Sequence, residues 1–254
     1  MEVVRRKPFQ GITNIIRFNW HFYVLAIVFI ALLHIVKPFA ADVLHPMIGI
    51  SGLLIILSIV ISLIVSFYVY DLSGLYKFDW LSLSIPSNAS VVNINAGFDE
   101  TSFVLKEKYP SIQLTVLNFY NPEKHTEVSI KRARKAYGAY SGTKTIETSN
   151  ISLAPNSIDF IFCVLSAHEI RARGERKLFF EQLNKAMKHD GRIIVVEHLR
   201  DVANFLAYNI GFFHFHSKNE WKRTFEASDL SIEKQLKITP FIKAFILQKN
   251  GASS

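Results

Sequence analysis

The chain has 254 residues, enough for one ordinary domain and an appendage. Half of it is hydrophobic, its net charge is +8, and its single cysteine, Cys163, excludes an internal disulfide. The apolar excess lies almost entirely before residue 77, so the positive charge reads as attraction to an anionic membrane surface ahead of nucleic-acid binding.

From Met47 to Tyr70 no residue carries a charge, and a helix over these 24 positions would be about 36 Å long, enough to cross a bilayer core. Trp20 to Val36 is apolar apart from His21 and His34, and spans the core only if it continues toward Ala41. Pro38 and Pro46 bound a short connector. The expected arrangement is a two-helix membrane anchor over residues 1–77, with helices at about 19–40 and 47–70. The alternative is that one stretch is a buried core helix. Arg5, Arg6, Lys7 and Arg17 precede the first helix, while Lys37 in the connector is offset by Asp42. The positive-inside rule then puts the N-terminus and everything after residue 70 in the cytoplasm, as in a bacterial inner-membrane protein. Tyr68, Tyr70, Tyr76 and Trp80 fit the interfacial exit.

After residue 88 the pattern becomes short β-rich runs alternating with amphipathic segments. Strands are expected at Ser90–Asn95, Ser111–Leu117, Lys144–Glu147, Ile158–Leu165 and Arg192–Glu197. Helices are expected at Thr101–Lys108, Glu127–Ala136 and Glu175–Lys188, the last stopped by His189-Asp190-Gly191. This alternation argues for a parallel α/β sheet. Ser231–Thr239 and Phe241–Lys249, joined tightly at Pro240, read as a terminal antiparallel hairpin.

In such a sheet ligands bind at the carboxyl ends of the strands. After the first strand comes Asn93-Ile94-Asn95-Ala96-Gly97-Phe98-Asp99, after the second Asn118-Phe119-Tyr120. After the fourth comes Ser166-Ala167-His168-Glu169, and after the fifth Glu197-His198-Leu199-Arg200-Asp201. Polar and titratable groups thus gather where a pocket should form.

These segments, with Pro155-Asn156-Ser157-Ile158-Asp159-Phe160 before the fourth strand and Lys188-His189-Asp190-Gly191-Arg192-Ile193-Ile194 before the fifth, carry a family resemblance. Over roughly residues 88–249 the chain resembles the class I S-adenosylmethionine-dependent methyltransferases, and looks closest to the small-molecule group that includes the quinone-biosynthesis C-methyltransferases. The resemblance implies a Rossmann-like, mostly parallel seven-stranded sheet with a terminal antiparallel hairpin, in a methyltransferase-like domain over 78–254. It implies S-adenosylmethionine as cofactor, lined by Asn93, Asn95, Gly97, Asp99, Asn118, Phe119 and, near Thr148–Asn150, Ser149. The chain departs from the family pattern at Asn93, where an acid is usual, at Asn118, where an acid holds the ribose, and in keeping only Gly97 of the first motif's glycines. Asp99 either restores acidic character or caps the helix starting near Thr101, and capping is the better reading.

His168, Glu169, Glu197 and His198 are the candidates for a base or for positioning the substrate; they read equally as polar strand ends satisfied by backbone. His214 and His216 alternate as metal ligands on a strand would, but no third ligand is evident, so no metal is expected. Cys163 reads as core. Lys131-Arg132-Ala133-Arg134-Lys135 reads as a solvated or membrane-facing helix face. Asn204–Phe215 is aromatic-rich and is either a cover over a lipophilic substrate or an ordinary core-facing segment. No Walker A loop, Gly-x-Ser-x-Gly elbow or Asn/Asp-Pro-Pro-Tyr/Phe motif is present. The expectation is a membrane-anchored methyltransferase acting on a hydrophobic small molecule or lipid, such as a quinone precursor, a phenolic or a pigment intermediate. The alternative is a non-catalytic scaffold that keeps the fold.

Overall fold

The computed structural model describes residues 6–251, so Arg5 of the N-terminal basic group lies outside the described residues. Two helices, α1 (Gln10–Val36) and α2 (His45–Phe67), pack against each other across a connector of two short 3-10 turns, Lys37–Phe39 and Asp42–Leu44. Pro46 falls in the first turn of α2, where its missing N–H has no intrahelical partner to lose. Both helices are long and apolar enough to cross a membrane, and their most apolar windows stand outside the fold, 0% and 6% buried. The buried-core-helix alternative therefore does not apply to either.

Helix α1 begins at Gln10 rather than near residue 19, because its first turns dock on the rest of the fold. The carboxylate of Asp71 accepts hydrogen bonds from the free N–H groups of Gly11 and Ile12, both at 2.8 Å. Phe18 is buried against the rings of Phe98 and Tyr137. The Tyr137 hydroxyl donates to Asn14 Oδ1 (2.8 Å), and Arg132 donates to the Phe18 carbonyl (2.6 Å). Arg6 bridges Glu100 (2.6 Å) and the Tyr70 carbonyl (2.8 Å).

After the π-helical turn Tyr68–Leu72, the chain enters the sheet domain. Its elements are β1 (Ser90–Asn95), α3 (Ser102–Lys108), β2 (Gln113–Asn118), α4 (Val128–Ala136), β3 (Lys144–Thr145), β4 (Ile158–Val164), α5 (Arg173–Ala186) and β5 (Met187–His198). Then follow α6 (Val202–Tyr208), α7 (Lys218–Glu226), β6 (Leu230–Lys237) and β7 (Ile242–Lys249). The seven strands run in the order β3-β2-β1-β4-β5-β7-β6, with β7 antiparallel to both neighbours and the other pairs parallel.

Successive strand residues point to opposite faces, and both faces are covered. Val92, Ile94, Ile193 and Val195 join Phe179, Phe180, Trp221 and Phe225 of α5 and α7. Val91, Ile194 and Val196 join Leu105 of α3 and Val69, Leu75 and Phe78. The expected division after residue 77 thus runs through a packed cluster. Cys163 is fully buried in the core, as expected.

The expected stop at His189-Asp190-Gly191 is replaced by a strand that starts at Met187 and bulges, so that Ile158 pairs with Met187 but Phe160 with Arg192. A Cβ on Gly191 would stand 2.9 Å from the Ile158 carbonyl and 3.0 Å from that of Asp159, both backbone atoms. We therefore expect Gly191→Ala to destabilise the protein by about 1–3 kcal/mol. Gly174→Ala, which meets open space, should stay within about 0.5 kcal/mol. Denaturant melts of the two variants check this; equal stability would contradict the bulge geometry.

Candidate active site

The strand order reverses between β1 and β4, and the residues after these strands and their neighbours form two adjoining groups. The first is a cleft at the ends of β1 and β2, lined by Asn95, Gly97, Phe98, Asp99, Asn118, Tyr137, Tyr140 and Thr143 among others. Gly97 has φ +107°, a conformation that favours glycine, and a Cβ there would meet the Tyr120 ring at 2.9 Å. Arg134 lies over that ring, 4.1 Å from its centre, and donates to the Gly97 carbonyl (3.3 Å).

Within the cleft, Asn95 Oδ1 accepts from Gly97 N–H (3.0 Å) and Asn118 Oδ1 from Tyr120 N–H (2.9 Å). Asp99 Oδ1 accepts from the N–H groups of Thr101 (3.0 Å) and Ser102 (2.9 Å), so it holds the start of α3 as the capping reading expects. Two buried polar atoms of the lining have no protein partner: Asn95 Nδ2 and Asp99 Oδ2. Both are buried atoms of lining residues, a donor and an acceptor without a protein partner of the kind that a polar ligand satisfies.

Four of the seven expected cofactor residues meet here, and three do not. The Asn93 amide lies behind the lining, donating to Thr101 Oγ1 (2.9 Å), Ser102 Oγ (2.7 Å) and, at 3.3 Å, Asp99 Oδ1. Phe119 points to the opposite face and packs on Phe179 and His125. Ser149 is exposed and reaches only Glu147. The third side of the cleft comes instead from Tyr137 to Thr143, a stretch whose aromatic and small residues gave no motif to read.

The second group gathers at the ends of β4 and β5. The Glu197 carboxylate is fully buried and accepts from the N–H of His168 (3.1 Å) and from its Nδ1 (2.6 Å). The other ring nitrogen, Nε2, stands 3.4 Å from Glu169 Oε1, which is also 3.2 Å from His214 Nε2. His214 Nδ1 is 2.8 Å from Glu127. Burial opposes the charged form of His168, but Glu197 and Glu169 outweigh it and its pKa is pushed up to about 10. The same contest raises His214, through Glu127 and Glu169. Burial would raise Glu169, yet the two histidines hold it well below the usual carboxylate range.

Here sequence reading and structure part at one residue. His198 does not join His168, Glu169 and Glu197: the next residue along a strand points to the other face. His198 Nδ1 lies between two acceptors, Asn204 Oδ1 (3.0 Å) and the Phe241 carbonyl (3.1 Å), so Nδ1 carries the proton. Its Nε2 then accepts from the Tyr70 hydroxyl (2.8 Å), which ties β5 to the exit of α2. Nor do His214 and His216 form a pair. His216 faces Arg176 (3.0 Å) and is driven down to about 3 by burial and that guanidinium, whereas His214 meets His168 and Glu169.

No protein-family model matches the chain, and no curated protein does. Solved structures do. The complex of the Haloferax volcanii Trm112 methyltransferase activator with its assigned methyltransferase has a chain that superposes with a TM-score of 0.52 at 10% identity, over 70% of this chain and 90% of that one. A SAM-dependent methyltransferase from Aquifex aeolicus gives 0.48 at 16% identity over 70% and 94%. The YcgJ protein from Bacillus subtilis gives 0.47 at 14% over 70% and 99%. The likeness is one of fold, and the fold is that of the class I methyltransferases, as the sequence resemblance implied.

Burial, joined by the nearby His168, lowers His198 to about 4. An unfolded histidine titrates near 6.5, so between about 6.5 and 4 the unfolded chain binds the proton and the folded chain does not. The stability linked to His198 is thus whole above pH 6.5 and lost as pH falls toward 4. In histidine-labelled protein, NMR should show the His198 ring neutral at pH 5.5; a midpoint near 6.5 would contradict this environment.

Proposed function

We propose that the protein is a membrane-anchored methyltransferase that uses S-adenosylmethionine and acts on a lipophilic acceptor. The observation that carries the reading is the cleft in which Asn95, Gly97, Asp99 and Asn118 converge while Asn95 Nδ2 and Asp99 Oδ2 lack protein partners. Asn118 would hold the ribose hydroxyls through its amide, and Asp99 Oδ2 and Asn95 Nδ2 would take polar groups of the cofactor. When bound, S-adenosylmethionine supplies an electrophilic methyl group on a sulfonium. The chain's own residues then align the acceptor and keep water out. Glu169 and His168, at the end of β4, are the charged pair available to hydrogen-bond and position an acceptor; Glu197 fixes the His168 ring.

Two observations support a bilayer-borne acceptor. The apolar hairpin stands outside the fold. Beside it, α6 contacts α2, and α6 with the following 3-10 turn Asn209–His214 exposes Val202, Leu206, Ile210 and Phe213. A contiguous exposed apolar surface of this kind marks a membrane or ligand contact. His214, at the end of the same turn, brings this cover to the titratable group. Arg6 ties the basic end of α1, which also carries Lys7 and Arg17, to Glu100 of the sheet domain, and the positive-inside rule makes that side cytoplasmic.

One feature favours a second reading, a scaffold without cofactor: Tyr120, held by Arg134, lies over Gly97 where the family's cofactor approaches the backbone. Calorimetric titration of S-adenosylmethionine and S-adenosylhomocysteine into the full chain in detergent micelles separates the two. We expect saturable binding of both, tightened roughly 5- to 10-fold in Asn118→Asp, because a carboxylate makes a charge-assisted bond to a hydroxyl. No binding by the folded wild type and by Asn118→Asp would leave the scaffold.

A further inference from the structure

We propose that His168, Glu169 and His214 form a site for one divalent transition-metal ion. The atoms His168 Nε2, Glu169 Oε1 and His214 Nε2 all lie within 4.8 Å of one another. Ligands held about 2.1 Å from one tetrahedral ion stand about 3.4 Å apart. Glu169 Oε1 meets that spacing with both histidines, at 3.4 and 3.2 Å. Two imidazoles and one carboxylate with open positions are the donor set of catalytic zinc and of non-haem iron sites.

The surroundings match a metal site as well as the ligands do. A ligating histidine almost always gives its other ring nitrogen to a carboxylate or carbonyl, which fixes the tautomer. His168 does so here, with Nδ1 facing buried Glu197 at 2.6 Å, while His214 Nδ1 lies between Glu127 at 2.8 Å and a guanidinium. Arg171 also lies against His214 Nδ1 and bonds the His214 carbonyl. Three carboxylates, Glu127, Glu169 and Glu197, gather around the two imidazoles and one guanidinium, so a divalent ion would take the place of the protons that the histidines otherwise hold. The ligands come from separate elements, the turn Ala167–Glu169 after β4 and the turn before α7, so an ion would also pin the aromatic cover to the sheet. It would offer open positions to a hydroxyl or enolic oxygen of the acceptor and lower that oxygen's pKa. This acceptor role rests on the methyltransferase reading; the site itself does not.

The test uses the full chain in detergent micelles, stripped with a chelator and titrated with Co2+. We expect one Co2+ per chain, a visible ligand-field band, and loss of that band on adding Zn2+. His214→Ala and Glu169→Gln should abolish stoichiometric binding, and Glu197→Gln should weaken it about 10- to 100-fold. His189→Ala, at an exposed position away from the group, should bind as wild type. Circular dichroism confirms that each variant is folded; Glu169→Gln keeps the side-chain shape if His214→Ala does not fold. No band in the wild type, or equal binding in Glu169→Gln, would overturn the site and leave an ion-pair cluster held by protons alone. Cobalt binding without S-adenosylmethionine binding keeps the site and sinks the methyltransferase reading, and the converse result does the reverse.

Discussion

The carboxylate of Glu197 ends β5 with no exposure to solvent, and a charge so placed must find partners or cost several kcal/mol. It finds them in one residue, the backbone N–H and the Nδ1 of His168. That double grip fixes the turn after β4, sets which ring nitrogen of His168 faces outward, and so presents Nε2 to Glu169. Glu169 in turn reaches His214, which the aromatic turn after α6 carries. The arrangement at the end of the sheet is therefore a chain of charge pairings that starts from one buried strand-end acid. Removing that acid would leave His168 without an orienting partner and the cover without a fixed seat.

A second set of contacts decides where this end of the sheet sits. Asp71 caps α1, Arg6 ties Glu100 to the Tyr70 carbonyl, and Tyr70 reaches His198 on β5. Helix α4, basic along one side, turns Arg132 to the Phe18 carbonyl and over the Trp20 ring, while Arg134 turns to Tyr120. Two arginines of the basic run are thus engaged within the fold, while Lys131 and Lys135 are exposed. The apolar hairpin is joined to the fold by part-buried polar contacts and ring packing, and the polar cleft and the titratable group lie at the end of the sheet that it joins.

The sheet was legible because its signal is local. Apolar runs such as Val91–Ile94 and Ile158–Val164 are buried on both faces, and each strand falls within a few residues of its expected place. The two apolar helices were legible for the same reason, apart from the start of α1. There Gln10 to Phe18 is polar enough to read as a flank, and only the tertiary cap from Asp71 makes it helix. The site was legible in part. Position after a strand identifies Asn95, Gly97, Asp99, Asn118, His168 and Glu169. It does not tell which way a side chain turns, so Phe119 and His198 were grouped with neighbours that face elsewhere, while Asn93 shares the face of Asn95 but sits behind Asp99, to which it donates. Contacts made by distant segments left no trace: Tyr137 to Thr143 on the cleft, and His214 beside Glu169, are brought in by the fold alone. His214 and His216, whose alternation carried no metal expectation, are turned apart by the backbone.

The central claim is that methyl groups pass from S-adenosylmethionine to a molecule resident in the bilayer. The most direct measurement is to reconstitute the full chain into vesicles made from total bacterial membrane lipids, supply methyl-tritiated S-adenosylmethionine, and count the label in the organic-solvent extract. The account predicts label in the extract that grows with time and protein, and that disappears when the extractable molecules are replaced by synthetic phospholipid alone. Extracts that stay unlabelled while the reconstituted protein binds the cofactor would contradict a bilayer-borne acceptor.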